Sequence, residues 1–210
     1  MTNNTGCTFC KTGIKGLLCE LPSQLKNDTP ILCKRGIYED AYCVGTLTPE
    51  QYTRGHTLLV LKNHRADITD PNISSEELLG FITAIHKVTN HLKNKARNDR
   101  GEPPSRIHVL SLCDGIKHLH AHLIPRYCYD KSEREFYIEN YWDREKDNRE
   151  SKEDFRSAVR EGKIEIHGMW YAAYHEMGYK NSKFWKYTDK ERALNLQALA
   201  EKLRMTLIQS

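Results

Sequence analysis

Apolar positions along this chain follow three rhythms. From Leu78 onward, Leu78, Phe81, Ile82, Ile85, Val88 (or Thr89) and Leu92 recur at the spacing of one helix face. Ser74, with Glu77 three residues on, is a capping box and marks where that helix begins. His56-Thr-Leu-Leu-Val-Leu61, entered through Gly55, is continuously apolar after its first residues, as expected of a strand buried on both faces. His118-Leu-His-Ala-His122-Leu alternates, placing three imidazoles on one face of a strand and Leu119, Ala121 and Leu123 on the other.

Shorter signals fill the rest. Ile31-Leu-Cys-Lys34 and Tyr42-Cys-Val44 read as short strands, and Ile107 to Leu112 as a longer one. Asp114-Gly115 reads as a tight turn, so the strand before it and the histidine strand make an antiparallel hairpin in an α+β domain. Near the end, Asp189 can cap an amphipathic helix lined by Ala193, Leu196, Leu199, Leu203 and Leu207.

Composition divides the chain. From Asp130 to Lys163, 20 of 34 residues are charged, with mixed sign. Trp142, Trp170 and Trp185 all fall beyond Tyr129. We read residues 1–129 as one domain and 130–210 as a charged, aromatic-rich, mainly helical extension, its charges on a solvated face and its aromatics in a small core or oligomer contact. The 32 basic and 28 acidic residues leave a net charge of +4, which suits an anionic small molecule and falls short of the basic stripe of a nucleic-acid binder. The polar start and short apolar runs carry no secretion signal or membrane span, and with seven cysteines this favours reduced thiols in a cytoplasmic protein.

The chemistry centres on the histidines. Neighbouring rings on a strand lie about 6.6 Å apart and the outer two about 13 Å, so one metal can take two of them but hardly all three. A histidine-rich surface strand and a His-x-His metal pair are the plainer readings. The functional one is a phosphate site, in which a neutral imidazole attacks phosphorus and its neighbours hold the non-bridging oxygens. Cys7-Thr-Phe-Cys10 offers two thiolates at the spacing of one tetrahedral zinc, although redox dithiols share that spacing. With no second Cys-x-x-Cys, the remaining ligands must be distant, and His64 and His118 are the candidates; a solvent-facing or capping role for His64 competes. His86 and His91 are read as structural, and His108, His167 and His175 have no supporting context. Cys19, Cys33, Cys43, Cys113 and Cys128 are read as small apolar residues.

Cys7-Thr-Phe-Cys10, Gly55-His-Thr-Leu-Leu-Val-Leu-Lys-Asn-His64 and His118-Leu-His-Ala-His-Leu-Ile-Pro-Arg126 occur in that order, and together they resemble the histidine-triad (HIT) superfamily of nucleotide hydrolases and transferases. The resemblance covers roughly residues 5–128. It implies a five-stranded antiparallel sheet with helices, usually dimeric. It also implies His120 as the nucleophile that takes a nucleotidyl group, His122 at the α-phosphate, and a structural zinc on Cys7, Cys10, His64 and His118. Where many members carry Gln and Ser or Thr before the triad, this chain has Asp114 and Gly115, whose backbone donors are the candidate phosphate contacts. The expected function is a nucleotide hydrolase or nucleotidyltransferase working through a nucleotidyl-histidine intermediate. A non-catalytic nucleotide- or protein-binding module is the alternative, and a zinc-dependent nucleic-acid binder a distant third. The expected partners are a nucleotide substrate and a second copy of the chain, with no membrane.

Overall fold

The computed structural model describes residues 6–21, 31–49, 51, 53–98, 101–111, 113, 116–127 and 188–205. In chain order the elements are α1 (Thr8–Cys19), β1 (Glu20–Leu21), β2 (Ile31–Leu32), β3 (Gly36–Glu39) and β4 (Cys43–Leu47). Then come β5 (Thr57–Leu61), α2 (Ser75–Lys95), β6 (Arg106–Leu110), β7 (His120–Arg126) and α3 (Asp189–Leu203). β1 and β2 form a small ladder of their own. The main sheet is five-stranded and antiparallel, in the order β3-β4-β5-β7-β6. The α+β class and the five strands agree with expectation.

The two faces of this sheet are covered differently. Leu59, Leu61, Ala121, Leu123, Cys43 and Leu47 point toward α2 and α3 and share one core with Phe81, Ala84, Val88 and Leu92. Val44, Leu58 and Val60 face the other way and pack with Phe9 and Leu17 of α1. All five residues of β5 are buried, as its unbroken apolar run predicts. The triad face is therefore the α1 side, and α1 spans only part of it.

α2 begins where the sequence places it. The Ser74 hydroxyl accepts from the Glu77 N–H at 3.1 Å, and the Glu77 carboxylate accepts from the Ser74 N–H at 2.9 Å. Its buried line runs through Phe81, Ala84, Val88 and Leu92, whereas Ile82 is 47% exposed and Ala84 takes the inward position. Small Ala84 lets the helix sit close to the sheet, which hydrophobicity alone does not signal.

Other readings need correction. Cys7 stands at the N-cap of α1, so the cysteine pair opens a helix, which Gly13 breaks with φ of 68°. β6 and β7 are antiparallel neighbours, but their last paired residues are Leu110 and His122, so a two-residue turn does not join them. Asp114 and Gly115 lie outside the described residues. β7 starts at His120, leaving His118 in the passage just before the strand.

At α3, Thr188 rather than Asp189 is the cap. Its hydroxyl accepts from the Glu191 N–H at 3.3 Å, and Glu191 returns the bond to the Thr188 N–H at 2.9 Å. Ala193, Leu196, Leu199, Ala200 and Leu203 of α3 join the same core as α2 and the sheet. Compact units follow that packing: Met1–Tyr127 with Ser182–Ser210 form one, and Cys128–Asn181 the other. α3 thus belongs with the sheet, although the change in composition at Tyr129 suggested a division there. The charged run 130–163, the three tryptophans, His167, His175, Cys128 and Leu207 lie outside the described residues. No described helix is long and apolar enough to cross a membrane.

Candidate functional site

Four side chains from three parts of the chain meet at the start of α1. The donor atoms of Cys7, Cys10, His64 and His118 all lie within 4.8 Å of one another. Cys7 Sγ is 3.3 Å from His118 Nδ1, Cys10 Sγ is 3.3 Å from His64 Nδ1 and 3.5 Å from His118 Nδ1, and the two Nδ1 atoms are 3.3 Å apart. Metal–nitrogen bonds of about 2.0–2.1 Å and metal–sulfur bonds of about 2.3 Å in a tetrahedron give N–N edges near 3.3 Å and N–S edges near 3.5 Å. The cluster therefore has the dimensions of a tetrahedral zinc site.

The second nitrogen of His118 supports this. His118 Nε2 lies 2.7 Å from the Leu61 carbonyl oxygen. A carbonyl only accepts, so Nε2 carries the hydrogen and Nδ1 presents its lone pair to the cluster. Burial and the neighbouring Cys7 thiol push the Cys10 thiol up to about 11, a setting that a cation between the two sulfurs reverses. His64 is positioned from the helix side. Glu77 accepts from Asn63 Nδ2 at 2.7 Å and from Arg65 Nη2 at 2.8 Å, pinning both neighbours of His64 to the N-terminus of α2. The capping box legible in the sequence thus also helps to orient a histidine of the Cys/His cluster.

The rest of the triad lies deeper in the sheet. His120 Nδ1 is 2.6 Å from the His118 carbonyl oxygen, so Nδ1 is the protonated nitrogen and Nε2 keeps a lone pair. The Ser111 hydroxyl donates to the His120 carbonyl at 2.6 Å. Phe9 of α1 meets His118 and His120 edge-on, with ring centroids 5.6 and 5.2 Å apart. Burial holds His120 below the ordinary histidine range, although the bond to the His118 carbonyl opposes the shift. His118 is lowered in the same way, by burial first, against its bond to Leu61. His120 and His122 follow at 5.4 Å between centroids, consistent with one shared face.

His56 completes the group, and the motif reading gave it no role. Its Nε2 lies 3.0 Å from His122 Nδ1, and it is 1% exposed. Gly55, at φ of 90° and with Pro125 Cγ 3.4 Å from where a Cβ would stand, turns the chain so that His56 enters β5 on the triad face. Buried Gln51 holds that turn: its amide donates to the His56 carbonyl at 2.7 Å, and its oxygen accepts from the Gly55 N–H at 2.8 Å. The Gly-His pair was the available signal for His56, and nothing in the local pattern marks Gln51. Cys113, with φ of 55°, places its sulfur 3.9 Å from His120 Nδ1. A left-handed backbone at a non-glycine residue is a strain of the kind found at functional sites.

The other histidines divide as read. His91 bonds the Leu203 carbonyl at 2.9 Å and ties α2 to α3, and exposed His86 lies 3.0 Å from Asn90 Nδ2. Cys33, Cys43 and Cys113 are buried, whereas Cys19 is half-buried. Lys117 is exposed, whereas its neighbour His118 is buried.

Comparison with known proteins meets this geometry over the sheet, α2 and the triad. The sequence matches the HIT domain family over residues 33–128. An uncharacterized HIT-like protein of Methanocaldococcus jannaschii is 28% identical over 121 residues, 58% of this chain and 79% of the relative. The Bacillus subtilis protein hit is 26% identical over 128 residues, 58% of this chain and 71% of its own. Among solved structures, a zinc-bound histidine triad family protein from Mycobacterium smegmatis is 26% identical, with a TM-score of 0.39, over 46% of this chain and 68% of that one. A HIT family protein from Bacillus anthracis is 27% identical, with a TM-score of 0.38, over 54% and 83%. The HIT match excludes Cys7 and Cys10 before it and α3 after it, yet the cysteine pair meets His64 and His118 of the matched stretch and α3 packs in its core.

Proposed function

We propose that this HIT domain is a nucleotide hydrolase or nucleotidyltransferase that works through a covalent nucleotidyl-histidine. The observation carrying the reading is the bond from His120 Nδ1 to the His118 carbonyl, which leaves Nε2 as the nucleophilic nitrogen. In the first step His120 Nε2 attacks the α-phosphorus of a nucleotide. A phosphorus–nitrogen bond forms, and the bond from phosphorus to the leaving group breaks. His122 Nε2 donates to a non-bridging or leaving-group oxygen and passes its proton to the departing group, while a second hydrogen stays shared between His122 Nδ1 and His56 Nε2, 3.0 Å apart. In the second step water or another acceptor attacks the same phosphorus, its proton returns to His122, and the phosphorus–nitrogen bond breaks to release His120. Phe9 keeps bulk water from the His120 ring. The backbone of Asp114 and Gly115 is the proposed source of phosphate donors, on the sequence alone.

Zinc on Cys7, Cys10, His64 and His118 is proposed as structural. It supplies cross-linking between α1, the passage after β5 and the triad, and its four ligands leave no open position. The protein is also proposed to act in the cytoplasm as a homodimer, readings that rest on cysteine usage and on the family resemblance.

The test is intact mass spectrometry after brief exposure to adenosine phosphoramidate, diadenosine polyphosphates and nucleotide sugars. A nucleotidyl adduct mapping to His120, absent in His120→Ala, is the expected result. Full turnover by His120→Ala on all three substrate classes overturns the mechanism. Binding of nucleotides by calorimetry with no product over hours identifies a non-catalytic module instead.

A further inference from the structure

Two cysteines outside the metal cluster face each other across a ladder. β1 and β2 are antiparallel with Glu20 opposite Leu32 and Leu21 opposite Ile31, so the next pair outward is Cys19 and Cys33. The Cys33 N–H donates to the Cys19 carbonyl at 2.7 Å, which fixes that pairing. This single backbone bond, next to the Glu20–Leu32 pair, holds the two Cα atoms near the roughly 5.5 Å of a hydrogen-bonded pair, inside the roughly 4.4–6.8 Å range a disulfide accepts. The two thiols lie within electrostatic reach of each other.

The surroundings also favour contact between the two sulfurs. Each thiol feels the field of the Arg35 guanidinium, whose Nε donates to the Glu20 carbonyl at 2.6 Å between them. Cys19 is half-buried and lines a cavity of about 290 Å³ with Leu18, Lys34 and Arg204, so a small oxidant can reach it. Cys33 is 1% exposed, and its thiol donates to the Ala193 carbonyl of α3 at 3.2 Å. Burial pushes Cys33 up, against the pull of Arg35.

We propose that Cys19 and Cys33 form a reversible cross-strand disulfide that clasps the end of α1 to β2. With hydrogen peroxide as oxidant, the Cys19 sulfur attacks a peroxide oxygen, giving a sulfenic acid and one water. The Cys33 sulfur then attacks Cys19, forming the S–S bond and releasing the second water; two thiols are oxidised and one peroxide reduced. The bond removes the Cys33 donor from the Ala193 carbonyl, so α3 loses a tie to β2 as α1 gains one. It joins the far end of the helix whose first residues hold Cys7, Phe9 and Cys10.

Peptide mapping of the full chain under non-reducing conditions, after mild peroxide or diamide treatment and acid alkylation, is the test. The expected product is a Cys19–Cys33 linked peptide two hydrogens lighter than its reduced parts and reversed by dithiothreitol. Buried Cys33 is a risky site for substitution, so the companion variant is Cys19→Ser. In that variant the linked peptide disappears, and the rise in melting temperature on oxidation of the parent disappears with it. Recovery of both cysteines in alkylated form while other thiols oxidise overturns the proposal. So does a stable Cys19 sulfenic or sulfinic acid without the link.

Discussion

His118 carries two jobs on two different atoms: its Nδ1 lies 3.3 Å from Cys7 Sγ, and its carbonyl oxygen lies 2.6 Å from His120 Nδ1. The Cys/His cluster and His120, the proposed nucleophile, are thus coupled through a single residue. Anything that moves His118 also shifts the atom that sets the His120 tautomer.

Metal removal follows first. Cys10 is the exposed ligand, so Cys10→Ser disturbs packing little while breaking the tetrahedral set. The expected result is substoichiometric zinc by elemental analysis, a lower melting temperature and weaker turnover, because α1 and His118 lose their anchor. Wild-type protein stripped by a chelator follows the same course. Full stability of the zinc-free protein sinks the structural role.

His56 gives a second prediction. If it shares the proton of His122, His56→Ala lowers turnover by roughly 100-fold, in the range of a lost acid–base partner. Zinc content stays unchanged, since His56 is not in the cluster. His56→Gln, which keeps a hydrogen-bonding group, recovers part of the loss. Equal kinetics for all three proteins would reduce His56 to packing.

Acid stability is expected to depend on Glu77. Burial alone raises its carboxyl, but bonds from the Ser74 N–H, Asn63 and Arg65 outweigh that and hold it below the usual range. A carboxyl lowered in the folded state contributes stability above its unfolded value, about 4.3, and that contribution is lost as pH falls through the folded value. Melting curves of wild type and Glu77→Gln will therefore be well separated at pH 7 and converge below about pH 4. A constant gap down to pH 3 contradicts this.

The place of α3 in the core predicts an asymmetry on one helix. Leu196 is 0% exposed and Leu194 is 62% exposed. Leu196→Ala is expected to cost about 2–5 kcal/mol in chemical denaturation, the range for a buried leucine. Leu194→Ala stays within about 0.5 kcal/mol. A similar small effect at both positions argues that α3 is only loosely docked.

Much of the site was legible before any coordinates. Alternation put His118, His120 and His122 on one face, and the spacing of Cys7 and Cys10 asked for two distant partners, for which the fold brings His64 and His118 within 4.8 Å. The helix cap at Ser74 and Glu77 and the doubly buried β5 were equally plain. These are local properties: period, capping chemistry and ligand spacing act within a few residues, and sequence records them directly.

Other features were settled only by the tertiary structure. His56 meets His122 across 66 positions of sequence because β5 and β7 pair in a register that sets Leu58 opposite His122. Glu77 reaches Arg65 only because the passage after β5 returns to the start of α2. α3 joins a core whose other members end at Leu123, although a composition break separates them in the chain. No local pattern can encode such pairings, since they depend on which surfaces remain to be buried once the sheet has formed. From sequence alone come the triad and the helix that backs the sheet; the folded sheet decides which second histidine meets His122 and which helix closes the core, because burial is a property of the whole chain.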